Sequence, residues 1–575
     1  MTTHAAVHVL GPVQEDPEWW RSAVIYQVYP RSFADSDGDG IGDIPGLLSR
    51  LDYLADLGVD AIWITPCYPS PLKDGGYDVA DYRAVDPRLG TLADLIALIE
   101  QAHARGMRIL MDIVPNHSSS EHQWFKELLD APPGSAAWDR YIVRPGRGSH
   151  GEEPPNNWTS VFHGPAWSQV LDGEGRSTGY WYLHLFDATQ PDFNWAHSEV
   201  RADFIKTLAF WFDLGIDGFR IDVAHGLAKD PSLPDILVEA DEEGLLSEHR
   251  TPFWDQDEVH EIYREWRALA DTYHPPRIFC SEAWVESTER MARYLRPDEL
   301  HTSFNFEFLK AGWDAVRLRA VIEQTIDTHQ AVGAPPTWVL SNHDVIRHRT
   351  RLAPGFEVGA PDLERGLARA RAATAFTLAL PGSTYIYQGE ELGLAEVDLA
   401  DEVRQDPAWF RSGGTDGFRD GCRVPIPWST AAPGHGFGPS GNSWLPQPAH
   451  WADYCVTVQE DDSGSTLNLY RRLLQLRRLE PSMGDGEMSW LAELSQEPQA
   501  LGIRRSAEDG SAVNVILNLS DEVLVVPGSL GTQVLLATSS QVTLLEETRS
   551  DGADRGQASL VLGPETCVWL RDPAS

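Results

Sequence analysis

Residues 218–226 (GFRIDVAHG) combine the pattern of a buried strand with two charged side chains. Apolar residues alternate here with Arg220 and Asp222, so one face of the predicted strand is apolar and the other is charged. An arginine and an aspartate that point the same way can form a charge-assisted pair. Such a pair keeps a carboxylate ionised, as a nucleophilic carboxylate must be. Taken alone, the stretch still favours a structural ion pair.

Three further predicted strands also end in polar residues. The ends read DIVPNH at 112–117, SEAW at 281–284 and SNHD at 341–344. In one parallel sheet these ends would bring Asp222, Glu282 and Asp344 into a single pocket. Converging carboxylates repel one another and cost stability, so several such ends in register favour a functional site over a structural one.

Two common chemistries use converging carboxylates, namely metal ligation and glycosidic-bond cleavage. A metal site favours paired histidines or carboxylates without a cationic partner. Here Arg220 flanks Asp222, which predicts a lowered pKa for this carboxyl group. His117 and His343 add donors that suit sugar hydroxyls. Glu282 has no cation beside it in the sequence, so its pKa can be raised. Cleavage of a glycosidic bond therefore fits better.

The elements that must position these residues alternate between strand and helix patterns. Eight such units predict an α/β fold, a (β/α)8 barrel whose strand ends form the site. The predicted strands cover residues 23–30, 61–66, 108–115, 218–226, 277–284, 302–308, 337–341 and 383–388.

Two segments interrupt or follow this alternation. Residues 117–188 are rich in Pro, Gly, Trp and Asn and are too long for an ordinary loop, which predicts an inserted subdomain. Residues 1–116 and 189–487 then form the barrel. Short alternating runs over 488–575 predict a C-terminal antiparallel β-sandwich domain.

Composition narrows the class of partner and the compartment. The 575 residues include 86 acidic and 46 basic side chains, a net charge of −40, which argues against nucleic acid or an anionic membrane. The five cysteines are odd in number and widely spaced, so we expect reduced thiols. The pattern of residues 1–16 does not predict a signal peptide, and we see no membrane span. We therefore expect a cytoplasmic protein, and the sequence leaves a monomer and a homodimer open.

These motifs resemble glycoside hydrolase family 13, the α-amylase family. The segment QPDFNW at 190–195 resembles the marker of its α-glucosidase and oligo-1,6-glucosidase branch. The resemblance implies that Asp222 is the nucleophile and Glu282 the general acid/base. It also implies that Asp344 binds sugar hydroxyls and stabilises the transition state. Four further residues would assist in binding the glucose that is cleaved off: Asp112, His117, Arg220 and His343.

The segment KDGGYD at 73–78 resembles the family's D-N-G-Y-D motif, with Gly75 where Asn is usual. The resemblance implies that Asp74 binds the non-reducing end of the substrate and that Tyr77 stacks on its glucose. Arg423 resembles the arginine that pairs with this aspartate. The combination implies an exo-acting enzyme that removes one glucose at a time.

The expected activity is a retaining exo-acting α-glucosidase on maltose and short malto-oligosaccharides, with some transglucosylation. Val223 resembles enzymes that cut α-1,6 bonds, whereas residues 224–226 resemble α-1,4-glucosidases, and we favour the α-1,4 bond. An oligo-1,6-glucosidase, a sucrose hydrolase and a glucosyltransferase or isomerase remain open alternatives. A non-catalytic partner, like the ectodomains of amino-acid transporter heavy chains, is disfavoured because the triad is complete.

A second chemical motif is the acidic run DSDGDGIGD at 35–43. Its acidic spacing copies the start of an EF-hand loop, but the closing glutamate is missing. The resemblance implies a structural Ca²⁺ or Mg²⁺ and no organic cofactor. The implied ligands are Asp35, Asp37, Asp39, the Ile41 carbonyl and Asp43. A solvated acidic loop is the alternative.

Overall fold

Eight parallel strands form the central sheet of the computed structural model, which describes residues 16–236, 252–415, 417, 419–484, 486–545 and 558–573. The barrel strands are β1 (Val24–Val28), β2 (Ala61–Ile64), β3 (Arg108–Ile113), β4 (Gly218–Ile221), β5 (Ile278–Ser281), β6 (Thr302–Ser303), β7 (Thr337–Val339) and β8 (Ser383–Tyr387).

The sheet runs in the order β7-β8-β1-β2-β3-β4-β5-β6 and forms a nearly closed barrel. Within the described ranges no ladder joins β6 to β7, although Asn305 N donates to Thr337 O at 3.3 Å across this seam. The predicted (β/α)8 barrel is therefore confirmed. Its main helices are Ile44–Ser49, Leu51–Leu57, Leu92–Ala104, Ser198–Asp213, Val259–Ala270, Thr288–Tyr294, Ala315–Gln330, Leu363–Thr377 and Thr466–Leu479.

Alternation along the strands divides the core into two layers. Side chains at every second strand position fill the barrel interior, whereas their neighbours pack outward against the helices. Trp63, Leu110, Cys280 and Tyr385 lie inside. Both faces are thus buried, which explains why the strands read as nearly continuous apolar runs.

The structure departs from the predicted elements most clearly at three places. The predicted strand 218–226 ends at Ile221, and Asp222 begins the turn that follows it. The predicted strand 302–308 contains only two strand residues, because Asn305 accepts a hydrogen bond from Phe308 N and caps a helix at Phe306–Lys310. The predicted helix at 44–57 is divided in two at Arg50.

Two smaller β regions accompany the barrel. An antiparallel sheet follows β3 in the chain and contains Val143–Pro145, Trp167–Leu171 and Ser177–Leu183. The C-terminal region contains a five-stranded and a three-stranded antiparallel sheet. Their strands are Glu487–Trp490, Ala500–Ser506, Ala512–Asn518, Leu524–Pro527, Val534–Ala537, Val542–Leu545, Ser559–Leu562 and Thr566–Arg571.

Within the described ranges, no helix combines the length and the apolar character needed to cross a membrane. The prediction about a signal peptide concerns residues 1–16, of which 1–15 lie outside the described residues. All five cysteines are buried and unpaired.

Candidate active site

Three carboxyl groups meet one guanidinium group at the C-terminal ends of β3, β4 and β5. Asp112 and Arg220 are register partners in neighbouring strands, so their side chains point the same way. Arg220 Nη1 lies 2.9 Å from Asp112 Oδ1 and 2.7 Å from Asp222 Oδ1. Its Nη2 lies 2.7 Å from Glu282 Oε2. The structure therefore brings Asp112, Arg220, Asp222 and Glu282 into one buried cluster.

This sharing of one cation corrects two predictions. Glu282 does have a cationic neighbour, namely Arg220 from the adjacent strand. Burial raises the pKa of Asp222 well above its usual value, and Glu282 and Asp112 raise it further, although Arg220 lowers it. Burial likewise raises the pKa of Asp112 to about 7, against the effect of Arg220. The predicted lowering was wrong because burial and the other two carboxyl groups raise the pKa of Asp222 more than one shared guanidinium group lowers it.

The turn after β4 holds the cluster in place. Val223 has a φ of 45°, which is rare for a β-branched residue and orients the chain directly after Asp222. Val223 N donates to Glu282 Oε2 at 3.2 Å, and Ala224 N donates to the Glu282 carbonyl at 2.8 Å. The indole of Trp284 donates to Glu282 Oε1 at 3.3 Å. The two predicted reacting carboxyls are thus fixed relative to each other by the backbone.

Asp344 lies in a second cluster, after β7. Burial raises the pKa of this carboxyl, but His343 and the guanidinium groups of Arg423 and Arg419 outweigh burial and hold it well below its usual value. Arg423 Nη2 lies 2.8 Å and Arg419 Nη1 3.3 Å from Asp344 Oδ1. Asp344 is therefore ionised.

Arg419, not Arg423, pairs with Asp74, which corrects another prediction. Arg419 Nη2 lies 3.0 Å from Asp74 Oδ1 and 2.8 Å from Asp406 Oδ1, whereas Arg423 contacts Asp344 and donates to the His343 carbonyl at 2.8 Å. Both arginines lie in the short 3-10 helix Arg419–Arg423. The resemblance to the family thus identified the correct turn, but it assigned the pairing with Asp74 to the wrong arginine of that turn.

The unusual Gly75 has a structural explanation. Its φ of 61° is left-handed, where Gly and Asn are the residues most readily accommodated. A Cβ atom at this position would lie 2.8 Å from the hydroxyl of Tyr29 and 3.4 Å from Arg423 Nη1. Glycine therefore fits a turn that places Asp74 and Tyr77 beside the clusters.

Tyr77 connects the two clusters. Its ring stacks on His343 with centroids 5.2 Å apart and an angle of 7° between the planes. Its hydroxyl donates to Asp112 Oδ2 at 2.9 Å. Burial lowers the pKa of His343 to about 3, so this imidazole is neutral.

A cavity of about 590 Å³ joins these groups, which is within the range of ~300–1,000 Å³ typical of small-ligand sites. Of the predicted catalytic and substrate-binding residues, Asp74, Tyr77, His117, Asp222, Glu282 and Asp344 line it. The other four contact lining residues without lining the cavity themselves: Asp112, Arg220, His343 and Arg423. Several lining residues had no predicted role in the site: Val161, Phe162, Phe186, His225, Trp254, Trp284, Ile346, Ala408 and Arg419. Most lie in connections without regular period. His225 and Trp284, however, lie within the quoted stretches 218–226 and 281–284, and Arg419 lies in the turn that contains Arg423.

The acidic run is a separate feature. Ligand oxygens of Asp35, Asp37 and Asp39 lie within 4.8 Å of one another, a carboxylate set that suits a hard divalent cation. Asp43 is not part of this group. Its Oδ1 accepts from Gly46 N at 2.6 Å, and its Oδ2 accepts from Ser36 N at 3.0 Å, so it caps the helix Ile44–Ser49.

Fold and site together define a carbohydrate-active barrel enzyme with paired carboxyl groups. Residues 27–486 match the family described as "Alpha amylase, catalytic domain", and residues 492–569 match a domain of unknown function, DUF3459. The chain belongs to the α-amylase family, glycoside hydrolase family 13.

Named relatives refine this class. A probable α-glucosidase of Rhizobium meliloti (strain 1021) is 36% identical over 527 residues, which cover 89% of this chain and 91% of that protein. An oligo-1,6-glucosidase of Parageobacillus thermoglucosidasius is 34% identical over 491 residues, covering 80% and 84%. The solved structure of an α-glucosyl transfer enzyme, XgtA, superposes with a TM-score of 0.81 at 35% identity and covers 96% of this chain and 99% of its own. The protein is thus an α-glucosidase-like glycoside hydrolase.

Proposed function

We propose that the protein is a retaining, exo-acting α-glucosidase that releases glucose from the non-reducing end of maltose and short malto-oligosaccharides. The observation that carries this proposal is the pair formed by Asp74 and Arg419 in the same cavity as Asp222 and Glu282. A sugar chain continuing beyond the bound glucose would meet this pair. The site therefore suits chain ends and not internal bonds.

The proposed reaction assigns one role to each reacting carboxyl group. Asp222 attacks C1 of the glucose while Glu282 donates its proton to the glycosidic oxygen, so the leaving sugar departs as an alcohol. Glu282 then takes a proton from water, whose oxygen attacks C1 and releases Asp222 as a carboxylate. A sugar hydroxyl in place of water would give transglucosylation. The geometry supports a reaction that uses both groups together, because Arg220 contacts Asp222 and Glu282 and Val223 N donates to Glu282 Oε2.

We infer a neutral, unphosphorylated substrate from the charges at the cavity. Arg419 is the one arginine or lysine among the described lining residues, and it already contacts three carboxylates. Burial lowers the pKa of His117, and it lowers the pKa of His225 to about 4, so neither imidazole supplies positive charge near neutral pH. A phosphate group would thus find carboxylates without a free cation. Some relatives carry the name trehalose-6-phosphate hydrolase. The proposed function differs from the one in that name, because the proposed substrate carries no phosphate group.

Product analysis tests the function. The protein is incubated with maltose, isomaltose, sucrose, trehalose and trehalose 6-phosphate, and the products are resolved by chromatography and NMR. We expect maltose to be cleaved fastest and the α-anomer of glucose to appear first. Isomaltose cleaved faster than maltose would favour an oligo-1,6-glucosidase, and β-glucose appearing first would refute retention. An inert but folded protein would favour the non-catalytic alternative.

We also propose that Asp35, Asp37 and Asp39 bind a structural Ca²⁺ or Mg²⁺. The loop that carries them contacts the later connection, since Asp35 N donates to Phe437 O and Trp444 N donates to Gly40 O. A bound cation would stabilise this junction and take no part in bond cleavage.

A further inference from the structure

Arg411 joins the connection after β8 to the segment between β3 and β4. Its Nε donates to the carbonyl oxygens of Phe162 at 3.0 Å and of His163 at 3.2 Å. Its Nη2 donates to His163 O at 2.6 Å, and its Nη1 lies 3.1 Å from Asp187 Oδ2. Burial raises the pKa of Asp187, but hydrogen bonds, including one from Arg411, outweigh burial and lower it, so the ion pair is formed near neutral pH.

The turn that binds Arg411 has an uncommon backbone conformation. His163 has a φ of 70°, which few residues other than glycine adopt, and Gly164 follows with a φ of 79°. His163 N donates to Ser160 O at 3.0 Å, and Ser160 N donates to Gly164 O at 2.9 Å. This conformation directs the carbonyl oxygens of two successive residues at one guanidinium group. A strained turn of this kind persists where surrounding contacts hold it in place.

The short helix Pro407–Arg411 connects this contact to the Asp74–Arg419 pair. Asp406 caps the first turn of the helix, and Asp406 Oδ1 also accepts from Arg419 Nη2 at 2.8 Å. One end of the helix is therefore bound to Arg419, and the other end is bound, through Arg411, to the strained turn.

These two attachments support one wall of the cavity. Phe162, which belongs to the turn, lines the cavity together with Ala408 and Arg419. Arg419 Cζ lies 5.1 Å from the centroid of the Phe162 ring, within the range of a cation–π contact. The Phe162 ring also packs against the edge of Phe186, with centroids 5.5 Å apart. The wall thus extends from Arg419 across Phe162 to Phe186.

We propose that Arg411 is a positioning residue that holds Phe162 against Arg419 and thereby closes the cavity beside the terminal glucose. The inference rests on the proposed function, in which Asp74 and Arg419 meet the non-reducing end of the substrate. With the wall in place, a substituent on O4 of the bound glucose finds no room. Without Arg411, Phe162 and the short helix can move apart, so a substituted glucose is accepted more readily. Arg411 then sets the specificity for chain ends although it does not itself line the cavity.

Discrimination between two substrates tests this role. The kcat/KM values for 4-nitrophenyl α-glucoside and for its 4-O-methyl derivative are measured, and their ratio is the discrimination factor. A well-packed site rejects one extra carbon atom about 10- to 200-fold, and Arg411→Met should lower this factor at least about 5-fold. A factor equal to that of the unmodified protein would overturn the proposal, even if the melting temperature falls.

Arg147→Met is the matched control. Arg147 Nε donates to Pro154 O at 3.0 Å, and its Nη1 lies 3.2 Å from Asp235 Oδ2, so it also binds a carbonyl group and a carboxylate. None of these three residues lines the cavity. The control should keep the discrimination factor, and a loss equal to that of Arg411→Met would overturn the proposal.

A double-mutant cycle tests whether Arg411 acts through Phe162. Phe162→Ala removes the ring from the wall, so it should lower the discrimination factor by itself. Adding Arg411→Met to Phe162→Ala should then change the factor by less than about 2-fold, because the residue through which it acts is gone. A further decrease as large as that seen with Phe162 intact would overturn the proposal.

Arg411→Lys keeps the test decisive if Arg411→Met does not fold. A lysine retains the charge beside Asp187 but lacks the planar fork that binds several oxygen atoms at once. The discrimination factor of Arg411→Lys should therefore also fall, by at least about 2-fold. An unchanged factor in this variant would overturn the proposal.

Amide hydrogen exchange distinguishes failure of this inference from failure of the proposed function. Exchange in residues 160–164 is followed by mass spectrometry, and Arg411→Met should exchange there at least about 10-fold faster than Arg147→Met, because the turn loses the contact that holds it. Unchanged exchange would overturn the role of Arg411. An unmodified protein that cleaves neither glucoside would refute the proposed function, whereas faster exchange in Arg411→Met would still support the positioning of the turn by Arg411.

Discussion

Replacing Asp74 by alanine tests the exo-acting proposal most directly. The Asp74 carboxylate is buried, with Oδ1 3.0 Å from Arg419 Nη2 and Oδ2 3.1 Å from Gln190 Nε2. A hydrogen bond from a hydroxyl group to such a charged acceptor is worth about 1.5–3 kcal/mol. Asp74→Ala should therefore lower kcat/KM by roughly 10- to 150-fold.

The choice of substrates makes this prediction specific. Asp74 is proposed to contact the glucose and not the leaving group, so maltose and 4-nitrophenyl α-glucoside should lose the same factor. Folding should be retained, because Arg419 keeps Asp406 and Asp344 as partners. Asp81→Ala is the matched control, since this carboxylate in the same loop is exposed and caps Arg83 N. A kcat/KM of Asp74→Ala within about 3-fold of the unmodified protein on both substrates would refute the reasoning.

Three further predictions follow from the two clusters and the acidic loop. Asp222→Ala and Glu282→Gln should each reduce turnover of maltose by at least about 100-fold while the protein folds normally, and near-native turnover in either would contradict the assignment. Burial raises the pKa of Glu390 to about 8, so the folded state binds this proton more tightly than the unfolded state. Stability from this group is then present at low pH and lost as the pH rises from about 4.5 to about 8. The difference in melting temperature between Glu390→Gln and the unmodified protein should consequently change in favour of the variant between pH 5 and pH 9. A difference that stays constant over this range would refute the raised pKa of Glu390. Adding Ca²⁺ to chelator-treated protein should raise the melting temperature, whereas Asp37→Ala should abolish this rise, and no rise in the unmodified protein would count against a cation site.

The carboxyl cluster could be predicted because, in a parallel barrel, the position of a residue along its strand determines where its side chain lies. Asp112 and Arg220 are register partners, and residues at the ends of neighbouring strands necessarily meet. Asp222 and Glu282 each lie one residue beyond the last residue of their strand. Recognising the strands was therefore enough to bring these side chains together.

The partner of Asp74 could not be predicted in this way. Arg419 and Arg423 lie in the long connection between β8 and the helix Thr466–Leu479, where no repeating hydrogen-bond pattern fixes the direction of a side chain. Both arginines lie in one turn of 3-10 helix, so a short motif cannot tell which of them contacts which carboxylate. Only the packed structure makes that distinction.

The electrostatic prediction was wrong for a related reason. The sequence shows Arg220 two residues from Asp222, and a local pair of this kind lowers the pKa of a carboxyl group. The structure adds Glu282 and Asp112 to the same guanidinium, and it buries Asp112 fully and most of Asp222. The sign of the shift depends on how many carboxyl groups share the cation, which the local sequence does not contain.

The charge balance of the whole site connects these findings to the proposed chemistry. Arg220 contacts three carboxyl groups, those of Asp112, Asp222 and Glu282. Arg419 and Arg423 together contact three more, those of Asp74, Asp344 and Asp406. Carboxyl groups therefore outnumber guanidinium groups in the site. Burial, together with the neighbouring carboxyl groups, raises the pKa of Asp222, and such a buried excess of negative charge is costly with a neutral ligand. It becomes favourable when positive charge develops at C1 in an oxocarbenium-like transition state. In the proposed reaction, these carboxyl groups favour the transition state over the bound substrate, which is the differential binding that catalysis requires.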